Sequence, residues 1–497
     1  MATTPSSAVG TNPAITGLES TFAEQLSALA VPWQGADAPD PRLLVVNEPL
    51  AISLGLDVDV LRSVDGVEVL SGASAPVGAT PVAMAYAGHQ FGGYTPLLGD
   101  GRALLVGELV GDNGERVDLH LKGSGPTPFS RGGDGFAAVG PMLREYLVSE
   151  AMHALGIPTT RALSVVATGR DIRRTGAEPG AVLARVAASH LRVGTFEFAV
   201  RQGEVLQTLA DYAIARHYPA LTELPTEKRY LAFFDAVVEA QAALVAQWML
   251  TGFVHGVMNT DNTTISGQTI DYGPCAFLDS FDPAAVFSSI DQGARYAFGN
   301  QPAVLKWNLA RLAETLLTLI DSTPDDAIAA VTTVLDSFDE RFQRHYAAGM
   351  SAKLGVGGEK IDPALIDDLL ALMTTHSADW TGTFRALAGE LRGESTALDV
   401  LIPREQLGSW LTRWRSELAR YDRDDAADAM DAVNPLYIPR NHQLDAALKA
   451  ATNGDLAPFE KLLEIVTHPF DRRDDWADYA TPAPPVFSES FQTFCGT

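Results

Sequence analysis

His255-Gly256-Val257-Met258-Asn259-Thr260-Asp261-Asn262 stands just ahead of Asp271-Tyr272-Gly273. A catalytic loop for transfer from a nucleotide places an Asp two residues after the His, where it orients the attacking hydroxyl. An Asn five residues on and a later Asp-x-Gly then hold metal on the phosphates. Here the Asp slot is Val257, which cannot accept a proton. Two readings follow: an inert nucleotide-binding scaffold, or an enzyme in which Asp261, beside the metal-type Asn262, supplies the carboxylate from a shifted position.

Upstream, the pattern predicts strands over 84–91, 102–110 and 116–122, with Gly111-Asp112-Asn113-Gly114 as the turn between the last two. A helix over 141–155 follows, with Pro141 at its start, Gly156 at its end and apolar residues recurring at three and four. Strand, glycine loop, two strands ending in Lys122 and a helix bearing carboxylates form the order of a kinase small lobe. Downstream, helical periodicity covers 206–218, 227–251, 303–319, 324–349 and 363–372. Asp235 and Glu239 make the second of these a core helix rather than a membrane span, and TTISGQTI reads as a short hairpin joining Asn262 to Asp271.

The expected fold is therefore α+β and protein-kinase-like, with a strand-rich small lobe, a helical large lobe and an additional C-terminal helical region. In residues this gives a disordered 1–14, an N-terminal extension over 15–80, the small lobe over 81–203, the large lobe over 204–350 and a helical region with a Cys-bearing tail over 351–497.

Gly99-Asp100-Gly101-Arg102 offers backbone N–H groups and a guanidinium to a polyphosphate, although a turn between strands needs no ligand. Lys122 shares a strand face with Asp118 and His120, opposite Leu119 and Leu121, and Glu145 and Glu150 compete to be its partner. Arg185 and Arg192 interrupt an apolar run, where a buried guanidinium requires an anion, either a phosphate or a structural carboxylate. Asn262 and Asp271 suit Mg²⁺ or Mn²⁺ bound mainly through phosphates and waters. The only two cysteines, Cys275 just after Asp271 and Cys495 on the tail, form a possible redox pair, the alternative being two unrelated thiols.

Composition excludes other classes. A formal charge of −26 disfavours nucleic acid and anionic membrane as partners, while residues 102–201 carry twelve Lys or Arg against ten Asp or Glu and would receive an anionic ligand. The amino terminus has neither the basic nor the apolar part of a signal peptide, and two cysteines suit a reducing cytoplasm. Zinc-protease spacing, a calcium loop, G-x-S-x-G and a dinucleotide-binding G-x-G-x-x-G are all missing.

Assembled, YAGHQFGGYTPLLGDGR, DLHLKGSGPTPFSRGGDG, MLREYLVSEAMHALGIPTTRAL, HGVMNTDN and TIDYGP closely resemble the selenoprotein O family, kinase-fold enzymes that transfer AMP from ATP to protein hydroxyls. The resemblance implies nucleotide contacts at Gly99, Gly101, Arg102, Lys122, Asp134, Gly135, Arg185, Arg192 and Asp271. It also implies a catalytic base at Asp261, metal ligands at Asn262 and Asp271, and Glu145 as the partner of Lys122. Under it Val257 is a family trait. ATP is expected reversed, its terminal phosphates held inward by Lys122, Arg185 and Arg192, with Ser, Thr or Tyr of client proteins as acceptor. Ordinary γ-phosphate transfer is the rival activity. Several relatives carry selenocysteine third from the carboxyl end, where this chain has Cys495.

Overall fold

The computed structural model describes residues 10–111, 114–174, 176–357 and 361–494. It is a mixed α/β protein in which an antiparallel sheet is followed by a long succession of helices. Among the described residues the sheet has eight strands. They are β1 (Ala30–Pro32), β2 (Arg42–Val46), β3 (Val82–Met84), β6 (Ala103–Val110), β7 (Arg116–Lys122), β8 (Ala137–Ala138), β9 (Arg161–Arg173) and β10 (Ala177–Ala187). Their order is β1-β3-β6-β7-β10-β9-β2, with β8 pairing β10. A separate two-stranded ribbon joins β4 (Gly88–Gln90) to β5 (Gly93–Thr95).

The segment expected as an N-terminal extension is part of this sheet, supplying β1 at one edge and β2 at the other. Residues 10–14, expected to be disordered, are tied down: Gly10 N–H donates to Ala79 O and Asn12 N–H to Ala75 O. The strand expected over 84–91 is divided. After Met84 the chain leaves the sheet, because Ala87 N–H donates to Gly194 O instead of to a strand neighbour, and it re-enters a ladder only at Gly88. The long β9 and β10 have no counterpart among the expected strands, since they are buried on both faces over most of their length and show no period-two alternation.

Strand β7 alternates as its sequence requires. Leu119 and Leu121 face an apolar cluster formed with Leu50, Leu61, Val69 and Leu70, which the N-terminal segment contributes. Asp118, His120 and Lys122 therefore point to the opposite side, toward the Val139–Ala154 helix. That helix packs its Leu143, Tyr146 and Leu147 into the main core, which continues without a break into the later helices.

The Thr226–Thr251 helix is, among the described residues, the one long and apolar enough to cross a membrane, and most of it is buried inside the protein. It lies against the Phe338–Lys353 helix, where Arg341 pairs with Asp235 at 2.5 Å and Arg344 with Glu239 at 2.7 Å. The single helix expected over 324–349 is two, Pro324–Asp336 and Phe338–Lys353, broken at Ser337. The hairpin expected between Asn262 and Asp271 does not pair with itself. Thr264 bridges to Arg192 and Thr269 to Thr159, so this connection is sewn to the sheet side of the molecule on both flanks.

Candidate active site

A cavity of about 380 Å³ lies where the sheet meets the 255–273 segment. Gly101, Arg102, Lys122, Glu145, Arg185, Arg192, Asp261, Asn262 and Asp271 all line it, with Val257 at the slot where the loop motif calls for a carboxylate.

Strand register explains how Lys122 and Arg185 meet. In the β7–β10 ladder Arg185 sits directly opposite His120, two residues from Lys122 on the same face. Lys122 Nζ then lies 2.6 Å from Glu145 Oε2 and 2.6 Å from Asp271 Oδ1. One Nη of Arg185 donates to the same two groups, at 2.9 Å to Glu145 Oε1 and 2.8 Å to Asp271 Oδ1. Glu150, the competing candidate, is engaged elsewhere: Arg161 grips both its oxygens at 2.9 and 2.6 Å.

Behind this cluster runs a buried chain of groups whose connection the sequence does not reveal. The other Nη of Arg185 reaches His120 Nδ1 at 3.3 Å, and His120 Nε2 faces Asp100 Oδ2 at 3.1 Å. With its proton on Nε2, this imidazole donates to Asp100 and accepts from Arg185 at once. His120 stacks on His190 at 4.1 Å, and burial lowers both imidazoles, His190 well below its ordinary value. Arg192 lies 4.5 Å above the Tyr86 ring, donates to His190 O at 3.1 Å and stands 4.0 Å from Asp100. Asp100 belongs to the quoted glycine loop, but nothing in its spacing signals a histidine twenty residues away.

Asp271 has φ of +65°, a left-handed conformation costly for a residue with a Cβ. Burial alone would raise its carboxyl, yet Lys122, Arg185 and Arg192 hold it well below the usual carboxylate range. Its second oxygen accepts from Asn262 Nδ2 at 3.0 Å. Flipping that amide would turn two hard oxygen donors toward the cavity, a set that fits Mg²⁺ or Mn²⁺ completed by phosphates and waters. Among the described residues no group of three or more His, Cys, Asp or Glu forms a fuller metal site.

Asp261 is half-buried, and its Oδ1 is shielded from solvent without a hydrogen-bond partner. Two glycines make room for it: a Cβ on Gly88 would come within 2.8 Å of Asp261 Oδ1, and one on Gly194 within 3.4 Å of Asp261 Cα. Burial, with Asp271 and Glu197 adding to it against the pull of Arg192, pushes this carboxyl up to about 7.

Other expected residues stand differently. The N–H groups of the glycine loop are consumed internally, Gly99 donating to Tyr86 O, Asp100 to Met84 O and Gly101 to Gly99 O. The glycines instead accommodate Phe129, whose ring a Cβ on Gly99 would meet at 2.3 Å. A backbone phosphate cradle would require these bonds to open; what the loop presents to the cavity is Asp100, Gly101 and Arg102. Asp134 and Gly135 do not line the cavity. Asp134 is paired with Arg174 at 2.8 Å, and Gly135 turns at φ +73° against Pro126. Cys275 is buried, donates to Tyr272 O and is pushed up to about 11 by burial, while Cys495 lies outside the described residues. The tail does reach this segment, since Thr493 Oγ1 donates to Pro274 O at 2.6 Å.

A strand-borne lysine tied to a helical carboxylate, facing an Asp-Asn pair and a second carboxylate across one cleft, defines an enzyme of nucleotide chemistry. The model of the family described as protein adenylyltransferase SelO matches residues 12–467. The protein nucleotidyltransferase YdiU of Rhodococcus jostii is 78% identical, with 100% of this chain and 98% of that protein covered. Its namesakes in Mycolicibacterium smegmatis and Cereibacter sphaeroides are each 56% identical, over 98% and 96% of this chain and 99% of each relative. The chain belongs to the SelO family and is a nucleotidyltransferase.

Proposed function

We propose that this protein transfers AMP from ATP to Ser, Thr or Tyr hydroxyls of client proteins in the cytoplasm, releasing pyrophosphate, and that its fold is the two-lobed kinase arrangement with the cleft between the lobes. The observation that carries the reading is the position of Asp261, a half-buried carboxylate with one solvent-shielded, unpartnered oxygen on the wall of the cavity that gathers Lys122, Arg185 and Arg192. A base and a cation cluster sharing one cleft are what attack on a nucleotide phosphorus requires.

In this mechanism Lys122, Arg185 and Arg192 hold the terminal phosphates, leaving the α-phosphorus toward Asp261. The client hydroxyl forms a bond to that phosphorus, its proton passes to the Asp261 carboxylate, and the α–β bridging bond breaks as pyrophosphate departs. An Asp raised to about 7 is suited to accept a proton near neutral pH. Asn262 and Asp271 would hold a divalent ion, whose contribution is charge compensation on the phosphates.

Intact-mass analysis of a client after incubation with ATP tests the reading. Addition of about 329 Da marks AMP, about 80 Da marks γ-phosphate transfer, and no addition marks a scaffold; either of the latter outcomes overturns it.

A further inference from the structure

Beside Asp261, outside the nucleotide cavity, a row of cations and rings in mutual contact runs along the surface. Arg201 lies 4.5 Å over the ring of Tyr94, which stands 4.9 Å from the His89 imidazole. His89 in turn lies 5.3 Å from the Trp307 ring, and Arg295 and Arg311 each place their guanidinium carbon 4.8 Å from that ring. The row is joined to the base through the backbone: His89 N–H donates to Thr260 Oγ1 at 2.7 Å, and Thr260 immediately precedes Asp261.

These arginines are poorly satisfied. Among the described residues neither Arg201 nor Arg295 has a carboxylate partner, and Arg311 has only the exposed Glu314 at 2.7 Å. The Nε atoms of Arg295 and Arg311 are shielded from solvent, so a docked carboxylate would be received by their terminal Nη groups. Stacking on a ring fixes a guanidinium plane while leaving its N–H edge outward, the geometry that receives a carboxylate in two parallel hydrogen bonds. Against Glu314 and the buried Glu197 that pairs with His89, the three arginines still leave a local excess of positive charge in a chain of charge −26. Screening confines the repulsion of the remaining charge to about 10 Å at ordinary ionic strength, so local sign governs a docked segment.

We propose that this arginine–aromatic row is the docking surface for client proteins, and that it selects acceptor hydroxyls flanked by acidic residues. The inference rests on the transfer reading and deepens it by naming the substrate class. Nucleic acid is the disfavoured occupant, because a long phosphate chain would extend past the row onto strongly anionic surface.

The test uses the full chain with three short synthetic peptides of equal length and one acceptor hydroxyl each, flanked by glutamates, by neutral residues or by lysines. AMP transfer is measured by mass, and binding by fluorescence anisotropy with Asp261→Ala protein in the absence of ATP. One exposed ion pair contributes a factor of roughly two to five, so three arginines should favour the acidic peptide over the neutral one by about tenfold or more. That preference should fade between about 0.02 M and about 0.5 M salt. Arg201→Gln combined with Arg295→Gln and Arg311→Gln should bring the acidic and neutral peptides to within about twofold. Arg201→Gln alone, at an exposed position, should reduce the preference by about two- to fivefold without risk to folding.

Equal use of acidic and neutral peptides overturns the proposal, as does a preference that survives both variants. So does tighter anisotropy binding of a poly-uridine oligonucleotide than of the acidic peptide. If no peptide gains mass, the transfer reading fails by itself. The anisotropy series without ATP still decides the docking surface.

Discussion

Replacing Arg192 by Met separates a clamp on terminal phosphates from a general nucleotide contact. The guanidinium has five N–H donors, of which the structure commits one Nη to His190 O at 3.1 Å, while Nε has no acceptor. The Asp100 carboxylate is 4.0 Å away and already engaged by His120. The remaining Nη donors are therefore the ones that a phosphate in the cavity lined by Arg192 would engage. A hydrogen bond between charged groups contributes about 1.5–3 kcal/mol, which corresponds to a loss of roughly 10- to 150-fold in affinity for whichever phosphate Arg192 holds. Under the reversed arrangement ATP and pyrophosphate should weaken by that factor, whereas AMP should change by no more than about threefold. Met retains an apolar stem over Tyr86, so the cost to the fold is mainly the lost cation–π contact, about 0.5–2 kcal/mol. Calorimetric titration of the three ligands, with thermal melts confirming a folded variant, decides the matter. Equal loss for ATP and AMP would refute the clamp.

Asp271→Ala should abolish transfer and remove metal-dependent ATP binding, since it deletes the carboxylate that Lys122, Arg185 and Asn262 converge on; unchanged metal-dependent affinity in titrations would contradict the ligand assignment. Asp261→Ala should keep ATP affinity within a few-fold while losing roughly 10²–10⁴ in transfer, and a parallel loss of binding would reassign it. Lys353 lies far from this chemistry, buried with its Nζ 2.8 Å from Asn434 Oδ1 and 4.0 Å from the Phe384 ring, and burial lowers its amine from 10.5 to about 7. The unfolded chain keeps the proton up to its higher value, so the cost to folding is full below about pH 7 and vanishes toward pH 10.5. Lys353→Met should therefore stabilise the protein in denaturant melts near neutral pH by up to about 4 kcal/mol and progressively less as pH rises; an identical gain at both ends would exclude this origin.

Elements with a strong period are legible in the amino-acid sequence itself. The Thr226–Thr251 and Val139–Ala154 helices and the strand ending in Lys122 lie within two residues of where apolar spacing puts them. Strands β9 and β10 are not legible in this way, because residues buried on both faces carry no alternation to read. The choice between Glu145 and Glu150 is equally closed to sequence physics. Both are buried on one helix, and only the position of Arg161 on a neighbouring strand shows which carboxylate is already occupied. The glycine loop is ambiguous for a related reason. A glycine required by a distant Phe129 ring and one required by a phosphate look alike in sequence, and only the hydrogen bonds made by their N–H groups separate them.

The same bonds show what nucleotide binding must exchange. Lys122, Arg185 and Arg192 are balanced by Glu145, Asp271 and Asp100, so three cations face three carboxylates around one cavity. A bare triphosphate entering this arrangement would set its charge against Asp271, which Lys122 and Arg185 hold ionised. Under the proposed mechanism, entry together with a divalent ion would resolve the conflict. Asp271 and Asn262 would hold the ion, Lys122 and Arg185, released by Asp271, would be available to phosphate oxygens, and Glu145 would keep both cations in place. In such an exchange each charge would keep a partner, which would limit the reorganisation that opposes binding. The left-handed backbone at Asp271 fits this account, because it turns one carboxylate so that Oδ1 meets the cations and Oδ2 meets Asn262.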